Sequence, residues 1–174
     1  TPGGHDAPLR LQLGHASFFQ INPATASKLY GEALLMALEA LAGTEARASG
    51  GVWKAGEGRL PSCWDLYCGV GTIGLYCADE AEQIIGIEIV KDAVLDANRN
   101  AVVNGIVNAR YICGKAEEIL PLYAGQKKDA GRTANRKEDP SVKTDPNLAE
   151  AISRASIAIL DPPRAGCRPE LLEA

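Results

Sequence analysis

Three glycines follow an acidic and apolar run in the middle of the chain, at Gly69, Gly71 and Gly74. Asp65 opens this run, and a helix is expected directly after the turn. Glycines at this spacing let backbone amides approach a ligand closely, and a helix that begins beside them adds a positive dipole. The same spacing, G-x-G-x-x-G, is also the pattern of dinucleotide sites. The segment therefore predicts a site for a nucleotide-like cofactor without deciding which one.

Two carboxylates discriminate between the candidate cofactors. Glu88 lies about 20 residues beyond Gly69, where an acidic side chain can accept hydrogen bonds from both ribose hydroxyls of an adenosine. This suits NAD and S-adenosylmethionine equally. Asp65 at the mouth of the loop would repel a pyrophosphate, whereas it would attract the ammonium and sulfonium groups of S-adenosylmethionine. Asp65 and Glu88 together favour S-adenosylmethionine, a methyl donor.

A second chemical signal is the run Asp161-Pro162-Pro163-Arg164. Two prolines cannot donate strand hydrogen bonds or extend a helix, so they fix a rigid turn where a strand stops. Such a turn could hold the carboxylate and backbone carbonyls against a substrate base. A simple strand-ending turn is the plainer interpretation, since Asp and Pro are common in turns. The carboxylates of Asp65 and Glu88 favour the interpretation that this turn belongs to a binding site.

The elements that would position these residues alternate along the chain. Strands are expected at Cys63–Tyr67, Gln83–Glu88, Arg110–Cys113 and Ser156–Leu160, and helices at 72–79, 92–104 and 115–123. This alternation predicts a parallel sheet with right-handed crossovers and helices on both faces. Ligands of such sheets bind beyond the carboxyl ends of the strands, where the three carboxylates are expected to meet.

A strand and helix extension is expected before this unit. Leu9–Leu13 alternates apolar and polar residues like a half-buried strand, and 17–21 predicts a second strand. Asn22-Pro23 should begin a helix that runs to about Ala42, with a glycine-rich linker over 43–59. Its apolar positions recur with a helical period: Leu29, Ala33, Leu34, Ala37, Leu38 and Leu41. We therefore divide the chain into an extension and linker (1–58) and a cofactor-binding domain (59–174).

The segment near 124–148 is polar and rich in charges of both signs. Its composition is typical of a solvated insertion, and a loop that contacts phosphate is the alternative. The basic residues that would form such a loop are Lys127, Lys128, Arg132, Arg136, Lys137 and Lys143.

Composition bounds the remaining possibilities. The 174 residues carry a net charge of −4, so overall charge does not indicate a polyanion partner. The five cysteines form no C-x-x-C pair, which predicts no metal site and a reducing, cytoplasmic setting. No apolar run reaches the roughly 20 residues of a membrane span. Thr1 at the start and Ala174 within an expected helix suggest a fragment of a longer protein.

Four motifs occur in an order that resembles the RNA uracil-5-methyltransferase family, with wording closest to bacterial members acting on 23S rRNA. They are SFFQINP at 17–23, DLYCGVGTIGL at 65–75, GIE at 86–88 and DPPRAG at 161–166. The resemblance implies a Rossmann-like class I methyltransferase fold, incomplete at the carboxyl end. It also implies S-adenosylmethionine as the cofactor and RNA as the partner, with 23S rRNA favoured over tRNA and with a role in rRNA processing.

The resemblance also assigns roles to individual residues. Gln20 would reach the donor from outside the alternating unit, Glu88 would bind the ribose, and Asp161 would supply the last donor-binding carboxylate. The full set of expected cofactor-binding residues is Gln20, Asp65, Tyr67, Gly69, Gly71, Thr72, Glu88 and Asp161. Many family members carry Asn at the position of Thr72.

No catalytic residue is assigned within the chain. In the family a cysteine of a Ser-Cys-Asn-Pro motif, one strand beyond the Asp-Pro-Pro-Arg turn, attacks C6 of uracil, and a later glutamate removes the C5 proton. Cys167 is too close to Asp161 to match, and Cys68 belongs to the glycine turn. The 174 residues are therefore expected to be inactive alone. An amino-methyltransferase and a non-catalytic RNA-binding module are the alternative functions, and Arg164 disfavours the first because those enzymes place an aromatic residue there.

Overall fold

The computed structural model describes residues 8–14, 23–49, 62–124, 155, 157–164, 166–167 and 169–172. The helices are α1 (Pro23–Ser49), α2 (Thr72–Cys77), α3 (Lys91–Val103), α4 (Ala116–Ala124) and α5 (Pro169–Leu172). The strands are β1 (Cys63–Leu66), β2 (Ile84–Glu88), β3 (Ala109–Cys113) and β4 (Ile157–Leu160). A short 3₁₀ turn, Ala78–Glu80, follows α2. From residue 62 onward, the predicted alternation of strands and helices is confirmed to within one or two residues at most ends.

The four strands form a parallel sheet in the order β3-β2-β1-β4. β1 pairs with β2 on one side, where Asp65 lies beside Gly86, and with β4 on the other, where Leu66 lies beside Leu160. The chain therefore leaves β1 towards one side of the sheet and returns later to its other side. This reversal creates a crevice beyond the carboxyl ends of β1 and β4, the usual place for a ligand in open α/β sheets.

Helices cover both faces of the sheet, as predicted. One apolar cluster joins β1 and β2 to α1, α2 and α3, with Leu34, Leu75 and Ala97 at its centre. The other joins the opposite face to α4 and α5 through Leu66, Ile87, Leu120 and Leu171. β2 is buried on both faces, which explains its nearly continuous apolar sequence.

Helix α1 buries Leu34, Ala37 and Leu38 as predicted, and it departs from the prediction in its length and at Leu29. It continues to Ser49, past the expected end at Ala42 and into the expected linker. Leu29, expected in the apolar stripe, is 64% exposed, whereas Tyr30 is buried. Tyr30 turns inward because its ring packs edge-on against Tyr76 of α2, with 5.9 Å between the ring centroids.

The predicted strand at Leu9–Leu13 is wrong. These residues form no strand; Leu9 and Leu11 pack against the apolar cluster of α3, and the backbone bonds to side chains of that helix. The alternating segment thus faces a helix rather than a sheet. The expected strand at 17–21, Gln20, the N-cap Asn22 and residues 125–148 of the polar insertion lie outside the described residues.

In the described ranges, no helix combines the length and the apolar character needed to cross a membrane. The same residues contain no cluster of His, Cys, Asp and Glu that could hold a metal ion.

Candidate cofactor site

A cleft of about 580 Å³ opens at the carboxyl ends of β1, β2 and β4. This volume is within the range of roughly 300–1,000 Å³ that is common for small-molecule sites. The glycine turn forms one wall, the end of β2 a second, and the Asp-Pro-Pro-Arg turn a third. Its lining residues are Tyr30, Tyr67, Cys68, Gly69, Val70, Thr72, Ile73, Glu88, Ile89, Asp161, Pro162, Pro163 and Arg164.

The turn between β1 and α2 has an unusual backbone. Tyr67 has φ of 62° and is the non-glycine residue with positive φ in the described part of the chain, followed by Gly69 at 54° and Gly71 at 80°. A bulky side chain in this region is strained by about 1–3 kcal/mol and persists only where its surroundings hold it. Here the Tyr67 amide donates to the Ile87 carbonyl at 2.9 Å, and its hydroxyl donates to Glu117 at 2.7 Å. Burial and this carboxylate raise the pKa of the Tyr67 hydroxyl.

Glu88 connects the end of β2 to the glycine turn. Its Oε2 accepts a hydrogen bond from the Gly69 amide at 3.1 Å, and its Oε1 accepts one from the Val90 amide at 2.9 Å. The side chain is partly exposed and lines the cleft. Each carboxylate oxygen can accept more than one hydrogen bond, so both keep capacity for hydroxyl donors.

Asp65 lies beneath the turn and does not line the cleft. It is the third residue of β1, 1% exposed, and its Oδ2 accepts a hydrogen bond from the Gly74 amide at 2.8 Å. Its Oδ1 is buried without a partner. Burial raises the pKa of this carboxyl from 3.8 to about 7; the Gly74 amide opposes the rise, and Asp161 and Glu88 add to it. The sequence argument, which placed Asp65 at the mouth of the loop, is corrected in this respect.

Tyr111 supports the turn from below, and the sequence analysis missed it. It is buried in β3, and its hydroxyl donates to the Gly71 carbonyl at 3.0 Å. A Cβ at Gly71 would lie 2.5 Å from the tyrosine ring, and a Cβ at Gly86 would lie 2.1 Å from it. Both glycines are therefore needed for the space that the ring fills. The signal in the sequence was Gly86, a small residue in an otherwise bulky strand, which indicates that another group approaches the strand closely there.

The Asp-Pro-Pro-Arg turn is held by backbone bonds at both ends. The Asp161 amide donates to the Leu66 carbonyl at 3.3 Å, and the Gly166 amide donates to the Pro163 carbonyl at 2.8 Å. Asp161 and Arg164 are exposed at the cleft. Tyr30 of α1, also missed by the sequence analysis, faces this turn: burial, and then the charge of Asp161, raise the pKa of its hydroxyl.

Cys68 is the cysteine among the described lining residues. Burial and the nearby Asp65 raise the pKa of its thiol, so it is a poor nucleophile at neutral pH. Burial also raises the pKa of Cys63, to about 12, and that of Cys77. Cys63 and Cys77 belong to the apolar core, and Cys68 is half-buried against it.

Five of the eight predicted cofactor residues therefore line one cleft: Tyr67, Gly69, Thr72, Glu88 and Asp161. Asp65 lies beneath the turn, Gly71 belongs to the turn without lining the cleft, and Gln20 lies outside the described residues. Lys115 forms an exposed ion pair with Glu118 at 2.6 Å.

Comparison with known proteins gives the family. A family model described as tRNA (Uracil-5-)-methyltransferase matches residues 53–174. A protein of Caldanaerobacter subterraneus subsp. tengcongensis named an uncharacterized RNA methyltransferase is 35% identical over 95% of this chain and 27% of its own length. A protein of Halalkalibacterium halodurans with the same kind of name is 31% identical over the same shares. The chain thus spans about a quarter of the length of these relatives.

Solved structures agree on the fold. The tRNA (uracil-54, C5)-methyltransferase of Pyrococcus abyssi in complex with S-adenosyl-L-homocysteine is 21% identical, with a TM-score of 0.54 over 91% of this chain and 27% of that one. A hypothetical protein of Thermus thermophilus is 20% identical, with a TM-score of 0.50 over 72% of this chain and 60% of that one. The sheet and its helices have the Rossmann-like class I methyltransferase fold, as predicted. With the family model matched over more than half of its residues, the chain belongs to the tRNA (uracil-5-)-methyltransferase family.

Proposed function

We propose that this chain binds S-adenosylmethionine and forms the donor half of an enzyme that methylates C5 of uridine in RNA. The observation that carries the proposal is the meeting of the glycine turn, Glu88 and Asp161 around one cleft. Membership of the family supports RNA as the substrate class. The free thiols of the cysteines fit a reducing compartment, and we propose the cytoplasm.

The residues of the cleft fit this cofactor. S-adenosylmethionine carries an ammonium, a sulfonium and an adenosine ribose, and it has no pyrophosphate. The carboxylates of Glu88 and Asp161 line the cleft beside Arg164, and Asp65 lies beneath it with Oδ1 buried without a partner. Because its pKa is raised to about 7, the Asp65 carboxyl is partly ionised at neutral pH, and a cation nearby would favour the ionised form. The carboxylates therefore favour a cationic ligand and oppose a dinucleotide. The chemistry that the bound cofactor supplies is an activated methyl group.

Each residue of the cleft has a role in holding such a ligand. Glu88 would accept hydrogen bonds from the ribose hydroxyls while it keeps the Gly69 amide in place. Asp161 would face the cationic end of the donor, and the rigid prolines after it would keep the carboxylate in position. Asp65 would act through the field of its charge and through the Gly74 amide, which it holds at 2.8 Å. Gln20 remains a proposed donor contact on the resemblance alone.

Calorimetric titration with S-adenosylhomocysteine tests the proposal. Glu88→Gln keeps the size of the side chain and removes its charge, so we expect affinity to fall roughly tenfold or more. Glu118→Gln is the matched control, because Glu118 is exposed and paired with Lys115 outside the cleft. NADH serves as the competing ligand. A folded chain that binds NADH, or that binds neither molecule, contradicts the proposal.

We further propose that the nucleophile for uracil C6 is none of Cys63, Cys68 and Cys77, because burial raises the pKa of each thiol. By the resemblance the catalytic cysteine belongs to a Ser-Cys-Asn-Pro motif, which these 174 residues do not contain, so we expect them to bind the donor without methylating RNA. Turnover by this chain on a uridine-containing transcript, abolished by Cys68→Ser, would contradict this.

For the complete enzyme we propose 23S rRNA rather than tRNA, on the resemblance of the motifs to the rRNA-modifying members. Parallel methylation assays of the full-length protein on 23S rRNA and on tRNA transcripts test this choice, and activity on tRNA alone would reverse it.

A further inference from the structure

Asp96 and Asn100 of α3, together with Asn104 at its carboxyl-terminal cap, bind the backbone of the amino-terminal segment 10–14. Asn104 accepts from the Arg10 amide and donates to the Arg10 carbonyl, each at 2.8 Å. Asn100 accepts from the Gln12 amide at 2.7 Å and donates to its carbonyl at 3.2 Å. Asp96 accepts from the Gly14 amide at 2.7 Å. Alternate residues of the segment thus meet every fourth residue of the helix, an arrangement that we name the amide ladder.

The middle rung of the amide ladder also reaches the cofactor site. Nδ2 of Asn100 donates to the carbonyl of Val70 at 3.3 Å, and Val70 lies between Gly69 and Gly71 of the glycine turn. Asn100 is fully buried, and the bond to Val70 is buried as well. One side chain therefore bonds to both the amino-terminal segment and the turn that lines the cleft.

Two consecutive carbonyls of the turn are held from beneath by side chains. Asn100 binds the Val70 carbonyl, and the Tyr111 hydroxyl binds the Gly71 carbonyl. Because a peptide unit is planar, fixing these carbonyls also fixes the amides of the next residues. The orientation of the turn amides thus depends on how firmly Asn100 is held.

We infer that Asn100 is a positioning residue that couples docking of segment 10–14 to the geometry of the glycine turn, and so to donor affinity. The affinity part rests on the proposed function. When the segment is docked, Gln12 satisfies Oδ1 of Asn100 and shares Nδ2 with Val70, which leaves the amide one orientation. When the segment is undocked, water replaces Gln12, the amide is free to rotate, and the Val70 carbonyl loses its fixed donor.

Hydrogen exchange of the turn amides in the ligand-free chain tests the coupling. We compare the unaltered chain, a variant without residues 1–14, Asn100→Ala and Asn104→Ala. The deletion and Asn100→Ala should each speed exchange at Gly71, whose amide shares a peptide unit with the Val70 carbonyl, roughly three- to tenfold, the size expected for one hydrogen bond. Asn104→Ala removes the Arg10 rung and the bond from Asn104 Nδ2 to the Asn100 carbonyl, neither of which touches the turn, and it should change exchange there less than about twofold. Circular dichroism establishes that each variant is folded.

Combining the deletion with Asn100→Ala distinguishes coupling through Asn100 from two independent structural effects. If the coupling runs through Asn100, the double variant should exchange no faster at the turn than Asn100→Ala alone. Additive acceleration, or an unchanged turn in the folded deletion variant, overturns the inference. Gln12→Pro removes the single amide that bonds to Oδ1 of Asn100 and should reproduce the deletion, with Arg10→Pro as its matched control.

Affinity for S-adenosylhomocysteine should follow the same order, with the deletion and Asn100→Ala weakened roughly three- to tenfold and Asn104→Ala unchanged. A chain that binds no S-adenosylhomocysteine contradicts the proposed function, and the exchange data still decide the coupling. Binding that is unaltered by the deletion and by Asn100→Ala contradicts the affinity part.

Discussion

Asp65→Asn should make the folded chain more stable at alkaline pH and less able to bind the donor. The substitution keeps an acceptor for the Gly74 amide, which Oδ2 of Asp65 binds at 2.8 Å. It removes the negative charge from a side chain that is 1% exposed and whose other oxygen has no partner. Stability and binding should therefore move in opposite directions.

The magnitude follows from the pKa of Asp65. Burial raises it from 3.8 to about 7 in the folded chain, so the folded state holds the proton more tightly than the unfolded state. Below about pH 4 both states are protonated and the carboxyl does not oppose folding. The free energy by which the Asp65 carboxyl disfavours folding grows as pH rises from about 4 to about 7 and is then constant at about 4 kcal/mol. Between pH 5 and pH 8 this free energy changes by about 3 kcal/mol.

Urea unfolding at pH 5 and pH 8 measures this change. The free energy of unfolding of Asp65→Asn minus that of the unaltered chain should rise by about 3 kcal/mol between the two values of pH. Asp92→Asn, at an exposed position in the first turn of α3, is the matched control for the loss of a carboxylate. A constant difference between the two values of pH for Asp65→Asn would refute the reasoning. Calorimetry at pH 8 should show weaker binding of S-adenosylhomocysteine by the same variant.

Other outcomes follow from the packing beneath the turn. Gly71→Ala should lower the free energy of unfolding by more than about 2 kcal/mol, because φ is 80° and the new Cβ would lie 2.5 Å from the Tyr111 ring. Gly105→Ala is the control, since φ is 68° there but the new Cβ would meet open space; it should lower the free energy of unfolding by about 1 kcal/mol. Urea unfolding that gives equal values for the two would contradict the packing argument. Tyr111→Phe should lose about 1 kcal/mol and weaken donor binding, since the Gly71 carbonyl loses its donor. Iodoacetamide at pH 8 should label exposed Cys113 readily and Cys68 slowly, and mass spectrometry of digested peptides reports the order; rapid labelling of Cys68 would contradict its raised pKa.

The elements that carry the site were predictable from the sequence because each has a local signal. The buried strands appear as apolar runs, the turn glycines mark the left-handed positions, and the prolines mark the end of β4. Since parallel strands end at one edge of a sheet, the meeting of Glu88 and Asp161 at one cleft also followed. The alternation of strands and helices was enough to predict the order of elements without any long-range information.

What could not be predicted depends on packing across the fold. The depth of Asp65 is decided by α2 above it and by the neighbouring strands, and no local pattern separates a carboxylate at the mouth of a loop from one beneath it. Tyr30 replaced Leu29 on the buried face of α1 because Tyr76 offers its ring an edge-on partner. The strand expected at Leu9–Leu13 was wrong because a period of two indicates an extended segment, without showing whether it pairs with a strand or lies against a helix.

The amide ladder has a geometric limit. Successive residues of an α-helix turn by about 100°, so positions four apart advance by about 40° around the axis with each rung. Over Asp96, Asn100 and Asn104 the bonding groups therefore swing through about 80°. A straight backbone cannot follow this winding over many more rungs. Inserting one residue between Arg10 and Gly14 would turn alternate amides away from α3, which makes this short stretch sensitive to length rather than to side-chain identity.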